Sequence, residues 1–279
     1  MSSAALRRRF DRAAPGYEAT AGLDAEVADR MLQRLDYVRI SPTRVLDAGA
    51  GTGRDARALA RRYPRAAIVA VDHSAGMLKQ ARRAAGFVER LRARSPLAVC
   101  ADICRLPVGA EAVDLVWSNL ALHWTADPAC ALREFARVLN TGGLLMFSAY
   151  GPDTFIELGA PRPPGFLDMH DLGDLLVAGG LADPVMDMER ITLTYADSRA
   201  FLADMRASAQ SALAPRASRG LARRDRIAAL ASALDARRRD GRLAISFEII
   251  YGHAWKPAQR RNADGHALIS AGALRRTPR

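Results

Sequence analysis

"VLDAGAGTGRDA", residues 45–56, is an apolar run that passes through three glycines into the start of a helical pattern. A strand, a G-x-G turn and a helix N-terminus are the parts with which a dinucleotide-binding fold cradles a pyrophosphate. Here Gly49, Gly51 and Gly53 read G-x-G-x-G, one residue short of that spacing. Asp47 stands two residues ahead of the first glycine. Its carboxylate would repel a pyrophosphate and attract a cation by about 4 kcal/mol at a separation of roughly 4 Å and an effective dielectric near 20. The loop is therefore expected to hold a ligand that carries positive charge.

Outward from this stretch, residues 43–150 alternate apolar runs with helical patterns, which predicts a parallel sheet covered on both faces. The runs are "TRVLDA", "AAIVAVD", "PLAVCAD", "AVDLVWSN" and "GGLLMFSA". Ala56, Leu59, Ala60 and Tyr63 share one helical face, Arg57, Arg61 and Arg62 the other, and Pro64 ends the helix. Asp127 and Pro128 predict the start of a second helix, with Leu132, Phe135, Val138 and Leu139 buried and Gly142 and Gly143 as its stop. Residues 1–42 read as a leading helical segment. Residues 43–255 read as one domain, with insertions at about 151–184 and 198–242 that form a helical cap over the strand ends. "PVMDMERITLTY" and "AISFEIIYGHAW" supply two further strands, which makes seven, the last antiparallel. Ile227, Leu230, Ala231 and Leu234 give the Arg-rich stretch between them an apolar stripe, and residues 256–279 read as a basic, disordered tail.

With 279 residues and 49% hydrophobic content the chain can bury a sizeable core. No apolar run is long enough for a membrane span, and the N-terminus "MSSAALRRRF" lacks the apolar segment of a secretory signal. Cys100, Cys104 and Cys130 lack C-x-x-C spacing and are expected to be small buried residues of a protein in a reducing cytoplasm. The net charge of +11 points to an acidic partner or to a solvated arginine-rich surface. Aromatics are only 6% and no stacking pair or helix-turn-helix signature falls in the basic stretches, so no specific nucleic-acid reading is expected. His73, His123, His170, His253 and His266 form no metal-ligand spacing, and His123 reads as a hydrogen-bonded wall residue.

Ligands of open α/β sheets sit at the carboxyl ends of the strands. The second run ends at Asp72, placed to accept hydrogen bonds from a ribose diol, and the third at Asp102, placed to accept one from an exocyclic amine. The fourth ends at Ser118 and Asn119, within reach of a ligand's reactive end. This order of elements resembles class I S-adenosylmethionine-dependent methyltransferases, which implies a Rossmann-like doubly wound sheet. The cofactor, S-adenosyl-L-methionine, is cationic and has no phosphate, in keeping with Asp47, and its carboxylate would use backbone N–H groups near Gly51. The resemblance implies that Asp72 holds the ribose, Met77 packs on the adenine, Asp102 and Ile103 frame its amine and edge, and Asn119 borders the transfer site.

"FDRAAPGYE", "SNLALHW", "FSAYGPDTFIEL", "FLDMHDLGDLLVAGGLADPVMDMERITLTY" and "YGHAWKP" narrow the resemblance to the malonyl-[acyl-carrier protein] O-methyltransferases of biotin synthesis. What this implies is a cytoplasmic monomer that methylates the free carboxylate of a malonyl group on an acidic acyl carrier protein. Tyr17 would close over the cofactor and acceptor, and Arg216, Arg219, Arg223, Arg224 and Arg226 would offer a docking face. The family's segment before "DMHD" is longer and ends in an arginine that binds the substrate carboxylate; here the join is "APRPPGF", with Gly165 in that place and Arg162 as the nearby substitute. The stretch after the sixth strand also departs from the family. Two alternatives stand beside this reading: a methyltransferase for another small acid or a ring hydroxyl, and a non-methylating relative such as the arginine-hydroxylating assembly factor of mitochondrial complex I.

Overall fold

The computed structural model describes residues 3–84, 95–159, 165–210 and 221–258. Seven strands form one sheet: β1 (Arg44–Ala48), β2 (Ala67–Asp72), β3 (Leu97–Cys100), β4 (Val113–Ser118), β5 (Leu139–Tyr150), β6 (Ala182–Tyr195) and β7 (Leu243–Trp255). Their order is β3-β2-β1-β4-β5-β7-β6. β1 pairs in parallel with β2 and β4, β2 with β3 and β4 with β5, while β7 runs antiparallel between β5 and β6. This is the seven-stranded, doubly wound sheet expected from the sequence, and its last strand is the antiparallel one.

Both faces of the central strands are covered, so their sequences are apolar almost without interruption. Successive side chains of a strand point to opposite faces. Val45 accordingly enters a core with Met31, Leu59, Trp117, Phe201 and Phe247. Its neighbour Leu46 enters the other, with Val116, Phe135, Phe147 and Leu172. The helices in chain order are α1 (Ser3–Ala13), α2 (Gly22–Arg34), α3 (Arg54–Arg62), α4 (Ala75–Ala84), α5 (Pro128–Val138), α6 (Met169–Ala178), α7 (Ser198–Ala207) and α8 (Leu221–Asp235). Asp127 caps α5 by accepting the Ala129 N–H at 3.0 Å, with Pro128 in the first turn, as its sequence indicates.

That helix ends earlier than its pattern suggested. Leu139 is already extended and opens β5, so Gly142 and Gly143 lie inside the strand rather than stopping the helix. The ladder steps from Val113↔Leu139 to Leu115↔Leu144, and the extra residues bulge, with the Gly142 N–H donating to the Lys256 carbonyl. Pairing with Val113 on β4 outweighs the helical spacing of Leu139. The expected burial of the cysteines is also corrected: Cys100 is exposed and Cys104 and Cys130 are half-buried.

α2 crosses to the far edge of the sheet. Arg30 pairs with Glu189 and Arg34 with Asp187 on β6, and the Arg34 guanidinium lies 3.8 Å from the centre of the Tyr251 ring on β7. α7 and α8 are tied by Asp235, which accepts from the Ser198 N–H at 2.8 Å and hydroxyl at 2.7 Å. Phe201, Met205 and Leu234 bury these helices on the sheet. Just beyond α7, Gln210 donates to the Tyr150 hydroxyl at 2.8 Å, at the carboxyl end of β5. Arg216, Arg219, the side chains of Arg223, Arg224 and Arg226, and the basic tail beyond 258 lie outside the described residues. No helix among the described residues is long and apolar enough to cross a membrane.

Candidate active site

A cavity of about 660 Å³ opens at the carboxyl ends of β1, β2 and β4. The glycine loop forms its floor. Gly49, Gly51 and Gly53 all have positive φ, at 90°, 53° and 76°, which explains why glycine stands at each. Gly49 and Gly51 line the cavity, whereas Gly53 turns the chain into α3 behind it.

The acidic residue of the motif is placed differently from the expectation. Asp47 is 1% exposed and lies beneath the loop, outside the cavity wall. It receives the Ala56 N–H on one side, while its Oδ2 has no hydrogen-bond partner among the described residues. Burial, reinforced by Asp55 and Asp72, pushes its carboxyl well above the usual range. Asp47 thus lies behind the loop rather than in contact with the cavity.

Asp72, at the end of β2, lines the cavity. It accepts the Gly51 N–H at 2.9 Å through Oδ2 and the Ser74 N–H at 2.7 Å through Oδ1, so it shapes the loop while keeping lone pairs for a ligand. Because Gly51 donates to Asp72, and Gly49 and Ala50 to the Val71 carbonyl, these amides are engaged within the protein rather than held out for a ligand's carboxylate. Asp102 accepts the Cys104 N–H at 2.9 Å and, with Ile103, borders the same side of the cavity. Met77 is 1% exposed; it is both core and wall, packing with Leu6, Phe10 and Ala14. Ser118 donates to the Ala48 carbonyl at 2.9 Å and lies outside the wall.

The leading segment closes the opposite side. Ser3, Leu6 and Phe10 of α1, then Tyr17, Glu18 and Asp24, all line the cavity. Asp11 holds α1 in place by accepting from Ser74 Oγ at 2.6 Å and Gly76 N at 2.9 Å, at the start of α4. Glu18 accepts from Thr52 Oγ1 at 2.7 Å and so latches the segment to the glycine loop. Tyr17, expected over the cavity, donates to Asp24 Oδ2 at 2.6 Å. Asn119 meets the same corner: its Nδ2 donates to the Asp24 carbonyl at 3.0 Å, and its Oδ1 accepts from Ser148 Oγ at 2.7 Å. Asp24 and Asp55 are the residues that sequence reasoning missed. Asp55 accepts the Trp117 indole N–H at 3.1 Å, and no motif spacing links Asp24 to either partner.

The structure therefore brings Tyr17, Gly49, Gly51, Asp72, Met77, Asp102, Ile103 and Asn119 to one cavity. Arg162 lies outside the described residues. His123 is not the hydrogen-bonded wall residue expected. Its ring is buried, stacks on Tyr150 at 4.4 Å, and neither nitrogen has a partner among the described residues. Burial lowers its pKa to about 3, which keeps it neutral. A Cβ at Gly165 would lie 2.5 Å from the His123 carbonyl oxygen, so no larger side chain fits there without moving the backbone.

The cavity's electrostatics oppose those of the whole chain. In a protein of net charge +11, its described walls carry Glu18, Asp24, Asp55, Asp72, Asp102 and Asp127 against the single arginine Arg54. Arg54 is itself paired with Asp29 at 2.8 Å. With apolar Leu6, Phe10, Met77, Ile103 and Trp124 between them, the acids suit a cationic ligand that also has an apolar, ring-containing part.

The comparisons agree with this architecture. A family model described as a methyltransferase domain matches residues 46–147. The YcgJ protein of Bacillus subtilis, at 18% identity, superposes with a TM-score of 0.60 over 84% of this chain and 99% of its own. Phosphoethanolamine N-methyltransferase 2 of Haemonchus contortus, solved with S-adenosyl-L-methionine, gives 0.57 at 19% identity over 89% of this chain and 57% of its own. Curated relatives are much nearer in sequence. The malonyl-[acyl-carrier protein] O-methyltransferase of Gallionella capsiferriformans is 45% identical, covering 95% of this chain and 94% of the relative. That of Laribacter hongkongensis is 46% identical over the same shares. With a class I methyltransferase sheet and this degree of identity along nearly its whole length, the chain belongs to the malonyl-[acyl-carrier protein] O-methyltransferase family.

Proposed function

We propose that this protein transfers the methyl group of S-adenosyl-L-methionine to the free carboxylate of a malonyl group carried on an acyl carrier protein, in biotin synthesis. Near full-length similarity to relatives of that name supports the acceptor. The acid-lined cavity at the glycine loop supports the cofactor and is the observation that carries the reading. Asp72 would take the ribose hydroxyls, Met77 and Ile103 the faces of the adenine, Asp102 its amine, and Asn119 with Tyr17 would border the transfer site.

When bound, the cofactor supplies an electrophilic methyl on a cationic sulfur. The acceptor carboxylate is ionised at neutral pH, so one of its oxygens displaces the sulfur in line and no proton moves. The protein's task is to align the two groups and exclude water, which Leu6, Phe10 and Tyr17 of the leading segment do from above. Purified protein with S-adenosyl-L-methionine and malonyl-carrier is expected to release S-adenosylhomocysteine and the malonyl methyl ester. Cofactor binding without either product would favour the non-methylating reading.

Three variants probe the acceptor side. Tyr17→Phe removes the hydroxyl that holds Asp24 and is expected to lower kcat several-fold with little change in melting temperature; full activity with a fall of several degrees would make Tyr17 a packing residue only. Arg162 is our candidate partner for the malonyl carboxylate, since burying that charge without a partner costs several kcal/mol. Arg162→Ala is expected to lower kcat/KM for malonyl-carrier about tenfold while cofactor affinity holds. Equal kcat/KM would remove Arg162 from the mechanism. Gly165→Arg, which restores the family's residue, is expected to destabilise the fold, because its Cβ meets the His123 carbonyl.

A further inference from the structure

Asp24 is an acid without a cation. It sits in the first turn of α2 and faces the cavity, and its carboxylate's hydrogen bond is the one from the Tyr17 hydroxyl. Among the described residues no arginine or lysine pairs with it; the charges that act on it come from Asp55 on α3 and Asp204 on α7, both negative. Burial and those two neighbours raise its pKa to about 6. Such an arrangement is unfavourable while the cavity lacks a positive charge and becomes favourable once one enters.

Its position is fixed from two sides. The Asp24 carbonyl accepts from Asn119 at the end of β4, and Asn119 in turn accepts from Ser148 on β5, whose Oγ receives the Leu120 N–H at 2.9 Å. This chain ties α2 to the two strand ends that border the transfer site. The carboxylate is thereby held at that end of the cavity, away from Asp102 and Ile103, which follow β3.

We propose that Asp24 is the counter-ion for the cofactor's sulfonium, and that it makes the site prefer the methylated, cationic cofactor over the neutral thioether left after transfer. This rests on the methyltransferase reading above. During the reaction the acceptor oxygen bonds to the methyl carbon, the carbon–sulfur bond breaks with its electron pair passing to sulfur, and the sulfonium charge and the acceptor charge cancel. Asp24 then faces a neutral sulfur, which favours release of S-adenosylhomocysteine and admission of the next cofactor.

Calorimetry on the full chain with S-adenosyl-L-methionine, S-adenosylhomocysteine and an analogue bearing a protonated amine in place of the sulfonium tests this without turnover. In Asp24→Asn, which keeps an acceptor for Tyr17, the two cationic ligands are expected to bind about tenfold more weakly and S-adenosylhomocysteine within twofold of wild type. In the wild type the ratio of S-adenosyl-L-methionine to S-adenosylhomocysteine affinity should rise several-fold between about pH 5 and about pH 7.5, as Asp24 loses its proton, and should rise distinctly less in the variant. Tyr17 and Tyr150 at this corner stay protonated throughout, and the other charged or titratable groups facing the cavity, Glu18, Arg54, Asp55, Asp72, His73, Asp102 and Asp127, are common to both proteins, so the difference between the two profiles reports Asp24. An equal loss for all three ligands, or a wild-type ratio independent of pH, overturns the proposal and leaves the cofactor assignment standing. Failure of the wild type to bind either natural ligand overturns both.

Discussion

Asp72→Ala is expected to weaken S-adenosyl-L-methionine binding ten- to a hundredfold. Two losses combine. Hydrogen bonds from a ligand diol to a carboxylate are worth about 1.5–3 kcal/mol. In addition, Asp72 accepts the Gly51 and Ser74 amides, so its removal also frees the glycine loop and the turn into α4. Burial raises the Asp72 pKa, so relief of that cost offsets part of the stability loss and affinity is the more sensitive readout. Asp72→Asn retains an acceptor for one amide and should fall between the two. Calorimetry decides the matter: wild-type affinity in Asp72→Ala, or tighter binding of a nicotinamide dinucleotide than of S-adenosylhomocysteine, would sink the assignment.

Gly49→Ala should produce the largest loss of stability. Its φ is 90°, where an L-residue is strained, and its Cβ would lie 2.3 Å from the Ala121 Cβ. Strain and overpacking each cost about 1–3 kcal/mol, a large share of a typical domain's 5–15 kcal/mol. A fall in melting temperature of about 5–15 °C is expected, with loss of cofactor binding as the loop lifts from the end of β4. Gly51→Ala is the control. Its φ is 53°, near the left-handed helical region, and a Cβ there meets nothing within 4 Å, so only about 1 kcal/mol is at stake. If the two variants melt together, the close approach of Gly49 to Ala121 does not hold the loop down.

The sheet was legible in the sequence because its information is local. Each buried parallel strand is an apolar run, and each helix carries its own cap and apolar stripe, as Asp127, Pro128 and Phe135 do for α5. The same holds for Gly49, Gly51 and Gly53, whose positive φ values are properties of the residues themselves, and for Asp72 and Asp102, which strand order alone sets at the carboxyl edge. Where local and distant signals competed, the distant one won. Leu139 continues the helical spacing of α5 but pairs with Val113 on β4, because the strand ladder that begins there outweighs one more turn of helix.

Tertiary structure alone decided how the leading segment meets the site. Nothing near Asp24 in the chain names Tyr17 as its donor or Asn119 as the group on its carbonyl, and Asn119 lies 95 residues away. Nothing in the local sequence gives Asp11, Glu18 and Asp24 separate tasks. They became a latch on α4, a latch on the glycine loop and a charge in the cavity only because α1 and α2 fold back across the strand ends. Asp47 shows the converse: its position in the motif pointed to the cavity, while folding placed it beneath the loop. Sequence determined the sheet and the glycine loop. Which acids face the cavity depended on the path of the chain between elements, a property of long-range packing that no local pattern encodes.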